Sequence, residues 1–111
     1  MSIVNLTPHD IVVVSDEDIV THRFEPSGVT ARCAVVSTAA GAHDGAPLAT
    51  ARYGAVVGLP DPVKGTLFVV SALVRAAVPS RVDVASPGDL ARDAVGVVVG
   101  CRSLIVNAGA A

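Results

Sequence analysis

Short valine-rich runs, each cut off after a few residues by proline, glycine or aspartate, recur along this chain: Ile11-Val12-Val13-Val14, Val35-Val36, Val69-Val70, Val97-Val98-Val99. Branching at Cβ stiffens χ1 and favours the pleated strand over the helix. Phe24, Phe68 and Tyr53 are the only aromatic residues, so Val, Ala, Leu and Ile must fill the core. The pattern predicts a mainly β (α+β) fold: a compact antiparallel barrel or sandwich with one short helix near residues 72–78. A chain of 111 residues fits one domain, 1–111, large enough to bury a core without staples.

Turn chemistry places the elements. Ile3–Leu6 reads as a short strand, and Thr7-Pro8-His9-Asp10 as a turn with Pro8 preset for its first central position. Ile11–Val14 is apolar throughout, as for a strand covered on both faces. Ser15-Asp16-Glu17-Asp18 reads as a solvated tip, Ile19–Phe24 as a half-exposed strand and Glu25-Pro26-Ser27-Gly28 as a turn. Val29–Val36 is a further strand. Residues 37–46, small and holding two glycines, are expected to form a mobile loop. Pro47–Val57 is a strand with Gly54 at a bulge or close approach. Thr66–Ser71 reads as a buried strand. Ala72–Val78 is the one good helix, with Ser71 as N-cap and Pro79 limiting its end. Val82–Ala85 is a short strand closed by Ser86-Pro87-Gly88-Asp89. Asp93–Gly96 turns a last hairpin into Val97–Cys101, Ser103–Val106 extends the sheet, and residues 107–111 are expected to be a frayed tail.

The formal charge of −2 excludes a nucleic-acid polymer as the default partner, because phosphate binding needs clustered Lys and Arg. Lys64 is the only lysine among eight basic residues. The start Met1-Ser2-Ile3-Val4-Asn5 lacks the basic opening of a secretory leader. The longest apolar stretch, Leu67–Val74, falls far short of the roughly 20 residues that span a bilayer. No membrane partner and a cytoplasmic location are therefore expected. Cys33 and Cys101 each sit in apolar runs and read as small buried hydrophobes, with one disulfide left open. High apolar content makes a homo-oligomer an expectation.

No catalytic, cofactor or metal signature stands out. His9-Asp10 and His43-Asp44 are neighbours in sequence, and neighbours on a strand point to opposite faces, so neither pair reads as a metal site. The polar residues that punctuate the apolar second half are more suggestive: Ser71, Arg75, Arg81, Asp83 and Arg92, with Asp93 and Arg102 beyond. Arg81 and Asp83, two apart, share a face if extended. One reading is structural, with Arg–Asp pairs tying loops to the sheet. The other is a pocket in which Arg75, Arg81 and Arg92 converge on a small anionic, nucleotide-like ligand, with Ser71, Asp83 and His9 contributing. A Ser71–His9–Asp83 triad is a third possibility without a local signature. Leaning away from an enzyme, the residues favour a ligand-binding module over a structural or protein-interaction protein.

Asn5-Leu6-Thr7-Pro8-His9, followed by Pro26-Ser27-Gly28, Gly58-Leu59-Pro60, Val70-Ser71-Ala72-Leu73-Val74, Arg81, Asp83, Pro87, Arg92-Asp93 and Gly100-Cys101, resembles a family of small uncharacterised proteins of phages, prophages and actinobacterial genomes. The resemblance covers almost the whole chain. It departs at Ala94-Val95-Gly96, where similar proteins often carry a polar turn residue. It implies a phage-like context, in which small non-enzymatic proteins blunt host defence by sequestering a nucleotide-derived signal in the host cytoplasm.

Overall fold

Residues 2–108 are described by a computed structural model, in which eight strands and one helix follow one another. They are β1 (Ser2–Asn5), β2 (Ile11–Val14), β3 (Val20–Phe24), β4 (Arg32–His43), β5 (Ala46–Val57), β6 (Thr66–Val69), α1 (Ala72–Ala77), β7 (Val84–Arg92) and β8 (Val98–Val106). The fold is mainly β with one short helix, as the β-branched runs require. Ser71 caps α1: its hydroxyl accepts from the Val74 N–H at 3.2 Å. The helix stops at Ala77 because Val78, which precedes Pro79, is pushed out of the helical region (φ −127°).

Six strands form an open sheet in the order β1-β6-β7-β8-β2-β3, and β4 and β5 form a separate two-stranded ribbon. Of the two expected architectures, barrel or sandwich, this corrects the closed barrel and leaves the sandwich. β1–β6, β6–β7 and β2–β8 are parallel, while β7–β8 and β2–β3 are antiparallel, so the sheet is mixed and does not close. The physical reason is the β6–α1–β7 unit, in which the helix carries the chain back and lets β7 lie parallel to β6. β7 is also longer than its turn residues suggest and runs through Pro87 and Gly88. β6 pairs only as far as Ala85, so at Pro87 the strand has a partner on one side alone, which a proline tolerates. Gly88 makes room for Ile105: a Cβ there would lie 2.2 Å from its side chain.

Two apolar clusters hold the sheet. Leu6, Phe68, Val70 and Val84 pack against Val74 of α1 and against Ala31 and Cys33 at the base of the ribbon. Ile11, Val69 and Cys101 form the second cluster, with Phe24 and Leu104 alongside. Val69, Val70 and Val84 are wholly buried, and each such side chain contributes roughly 1.5–3 kcal/mol. Cys33 and Cys101 are both free thiols and belong to different clusters.

The expected mobile loop at 37–46 is instead the distal half of the ribbon. Asp44 (φ 50°) and Gly45 (φ 80°) make a two-residue turn between paired His43 and Ala46. Both central residues have the positive φ such a turn needs, and Asp-Gly supplies it. The ribbon carries the chain away from the sheet, and apart from Cys33 and the half-buried Val56 every one of its residues is exposed. The radius of gyration is 16.5 Å, against about 13 Å for a compact chain of this length. The expected frayed tail also fails at its first residue, Asn107, which is firmly held; residues 109–111 lie outside those described.

Candidate functional site

The arginines expected to converge are each committed elsewhere. Arg75, on α1, donates from Nε to Ser86 Oγ at 2.7 Å and from its terminal nitrogen to Asn107 Oδ1 at 3.1 Å. Arg81 grips Asp83 with two bonds of 2.8 and 2.9 Å and reaches the Pro60 carbonyl at 3.0 Å. This fork holds the Asp83 carboxyl below the usual carboxylate range and keeps Arg81 charged. Arg92 donates to the Gly96 carbonyl across the last hairpin. Three guanidinium groups with three separate sets of partners tie loops to the sheet and do not make one anion pocket.

The remaining expected residues fare similarly. The Ser71 hydroxyl is spent on its helix cap. His9 is exposed, and its carbonyl accepts from the Asn5 side chain at 2.7 Å. Ser71, His9 and Asp83 share no hydrogen bond among those described, so the triad has no geometry. Among the described residues, every buried side-chain nitrogen or oxygen has a partner. No buried cation is thus left facing a cavity for a ligand to complete. Asp83, its charge already matched by Arg81, lines a shallow cavity of about 420 Å³ with Ile3, Thr66, Leu67 and Val82, and no cation lines it.

Three polar hubs organise the fold, and of these only Arg102 stands in the polar set that the sequence singles out. Asn5, only 2% exposed, donates from Nδ2 to the carbonyls of His9 and Phe24 and accepts at Oδ1 from the N–H and hydroxyl of Thr7. The Asn-Leu-Thr-Pro-His opening is therefore a self-bonded turn that ties β1 to β3. Asn107 donates to the carbonyls of Arg75, Val78 and Arg81, closing the end of α1 and the loop after it. Arg102, on β8, donates to the Ser15 carbonyl and to Asp18 at 2.6 Å, pinning the β2–β3 turn. Long-range bonds such as these, 19 to 87 residues apart in the chain, leave no local pattern.

What remains without an internal role is the arm. Cross-strand pairing sorts its side chains onto two faces, because directly opposed residues share a face. The inner face starts at Cys33 and Val56 in the core. It runs outward through Val35–Tyr53, Ser37–Ala51, Ala39–Ala49 and Ala42–Pro47. Bulges between Cys33 and Val35, where Gly54 sits in β5, and between Ala39 and Ala42 keep the faces in step. No charge stands on this face. The outer face carries Arg32, Arg52, Thr38, Thr50 and His43 together with Val36, Val57 and Ala46. Both faces expose large apolar side chains, Val35 at 53% and Tyr53 at 55% on the inner face and Val36 at 63% and Val57 at 49% on the outer, and what sets the inner face apart is that it carries no charge.

No family model matches the chain, and no curated protein or solved structure matches it. Among the described residues no helix is long and apolar enough to cross a membrane.

Proposed function

We propose that this protein works by binding another polypeptide, as a non-enzymatic interaction module, and that its working surface is the inner face of the β4–β5 arm. The observation that carries this is the exposure of the arm's large apolar side chains together with the absence of charge from its inner face. A lone two-stranded hairpin is marginal in water, and a sequence that keeps all charge off one side for four successive cross-strand pairs is shaped for cover. Capture of a small anion, the alternative raised by the arginines, has less support, since each expected cation already has an internal partner.

The test is a photoreactive benzoylphenylalanine in place of Tyr53, on the inner face, or of Arg52, on the outer face, with the protein expressed in its native cell. Irradiation should yield an adduct with a polypeptide from position 53 and none from position 52. No adduct at position 53 would overturn the reading.

A further inference from the structure

We propose that Asp44, at the tip of the arm, is a site of spontaneous backbone modification, isomerising through a cyclic imide to isoaspartate. This goes beyond the interaction reading and does not depend on it. The Gly45 backbone nitrogen attacks the protonated Asp44 carboxyl at Cγ. An N–Cγ bond forms, the Cγ–OH bond breaks, and the amide proton leaves with the hydroxyl as water. Water then reopens the ring at one of two bonds. Cleavage of N–Cγ restores aspartate. Cleavage between the nitrogen and the main-chain carbonyl leaves Gly45 attached through Cγ and frees an α-carboxylate. Water lost in the first step returns in the second, so the chain keeps its mass and consumes no other reactant.

The structure singles out Asp44 among the aspartates. Three of them have positive φ: Asp18 (62°), Asp44 (50°) and Asp89 (48°). Ile19 follows Asp18 and Leu90 follows Asp89, each with a bulky side chain beside the attacking nitrogen. Gly45 follows Asp44, and even a Cβ built there would meet nothing within 4 Å. The Asp18 carboxyl is also held by Arg102 at 2.6 Å, whereas the Asp44 side chain is 95% exposed and free to rotate.

Turn geometry supplies the path. With φ of 50° and 80°, Asp44 and Gly45 are the central residues of a type I′ turn. The ring closes when the Gly45 nitrogen eclipses the Asp44 Cβ about the Cα–C bond. For an L residue that occurs at ψ of about −120°, the conformation of the first central residue in a type II′ turn. Types I′ and II′ share the positive φ at that residue, and both close two-residue hairpins. Turning over the single peptide between Asp44 and Gly45 therefore reaches the reactive geometry with His43 and Ala46 still paired. Glycine accepts the change of sign in its own φ. Isoaspartate then adds a methylene to the backbone of the turn, and the pairing of His43 with Ala46 and of Ala42 with Pro47 loses its register.

The test incubates the full chain at neutral pH, native or in concentrated urea, and samples it over weeks. Isoaspartate is read as methyl transferred from S-adenosylmethionine by a protein isoaspartyl methyltransferase, and its position by electron-transfer fragmentation. Label should accumulate at residue 44 in the native chain, at about the rate seen in urea, and not at Asp18 or Asp89. Gly45→Val, which crowds the attacking nitrogen, should lose the label. Asp44→Asn keeps a turn-forming pair and loses ammonia in place of water, so it should gain label faster than the wild type, with the mass change of an amide becoming an acid. A native rate more than about tenfold below the rate in urea overturns the proposal, because the turn then shields the peptide. Label at Asp18 or Asp89 equal to that at Asp44, or full label in Gly45→Val, also overturns it.

Discussion

Replacing Asn5 should be among the most damaging single changes in this protein, and the reason can be worked bond by bond. Its side chain makes four hydrogen bonds of 2.6–2.9 Å from a position that is 2% exposed. A hydrogen bond contributes about 1 kcal/mol net, and more when its loss strands a buried partner. The exposed His9 carbonyl and Thr7 hydroxyl can turn to water, which leaves the Phe24 carbonyl and Thr7 N–H as the main losses. Asn5→Ala should therefore cost about 2–3 kcal/mol. With an unfolding entropy of about 2.1 cal/mol/K per residue, that lowers the Tm by about 10 °C. The assay is urea and thermal unfolding followed by circular dichroism, since the chain has no tryptophan. Asn5→Asp sharpens the test. It keeps the acceptor toward Thr7 but turns a negative oxygen toward the carbonyls of His9 and Phe24. Its carboxyl should favour the protonated form in the folded state, so its folded pKa is raised. The deficit should then be small below about pH 4 and grow as pH rises above it. Asn5→Ala within about 0.5 kcal/mol of wild type, or Asn5→Asp as stable as wild type at neutral pH, would refute the reasoning.

Other outcomes follow from single contacts. Gly58 and Gly28 both have positive φ, but a Cβ at Gly58 would meet the Thr30 carbonyl oxygen at 2.5 Å while one at Gly28 meets nothing within 4 Å. Gly28→Ala should cost about 1 kcal/mol of strain and Gly58→Ala clearly more, read as urea midpoints; equal costs would remove the clash at the arm's base. Asp83, its pKa lowered by the bonds from Arg81, stabilises the fold above the ordinary aspartate pKa and loses that contribution as pH falls through its folded value. Asp83→Asn should be less stable at pH 7 and show a shallower decline in acid, measured as Tm against pH. Both cysteines are buried, and burial raises the Cys101 pKa, so a thiol reagent should label neither quickly in the native protein and both in urea. Fast labelling of native Cys101 would contradict its place in the second cluster. Asn107→Ala should destabilise by about 1–3 kcal/mol in the same urea assay, and a neutral result would return residue 107 to a frayed end.

Much of the fold could be read locally. Ile11–Val14 forms a strand with the expected bounds, Ser71 caps the helix, and Pro79 limits it, because each depends only on β-branching, a capping oxygen or a locked φ within a few residues. The arm differs from its local pattern for a physical reason. Ser37–Ala46 has the small residues of a loop, and the Asp44-Gly45 turn signal inside it counts only if the flanks are recognised as strands. Those flanks are rich in alanine and take their strand character from pairing.

The sequence by itself determined the strand-rich class, the helix and its cap, and the residues available for polar contacts, since these follow from Cβ branching, turn chemistry and charge. Only the tertiary structure decided what those residues do. Arg75, Arg81 and Arg92 were apportioned to separate partners, and Asn5 and Asn107 became hubs, by contacts between segments far apart in the chain. Sheet order and register bring those segments together, and no local pattern encodes them. The exposed inner face of the arm is of the same kind: only pairing sorts its side chains onto one uncharged face, and only the arrangement of the rest of the chain shows that the chain does not cover it.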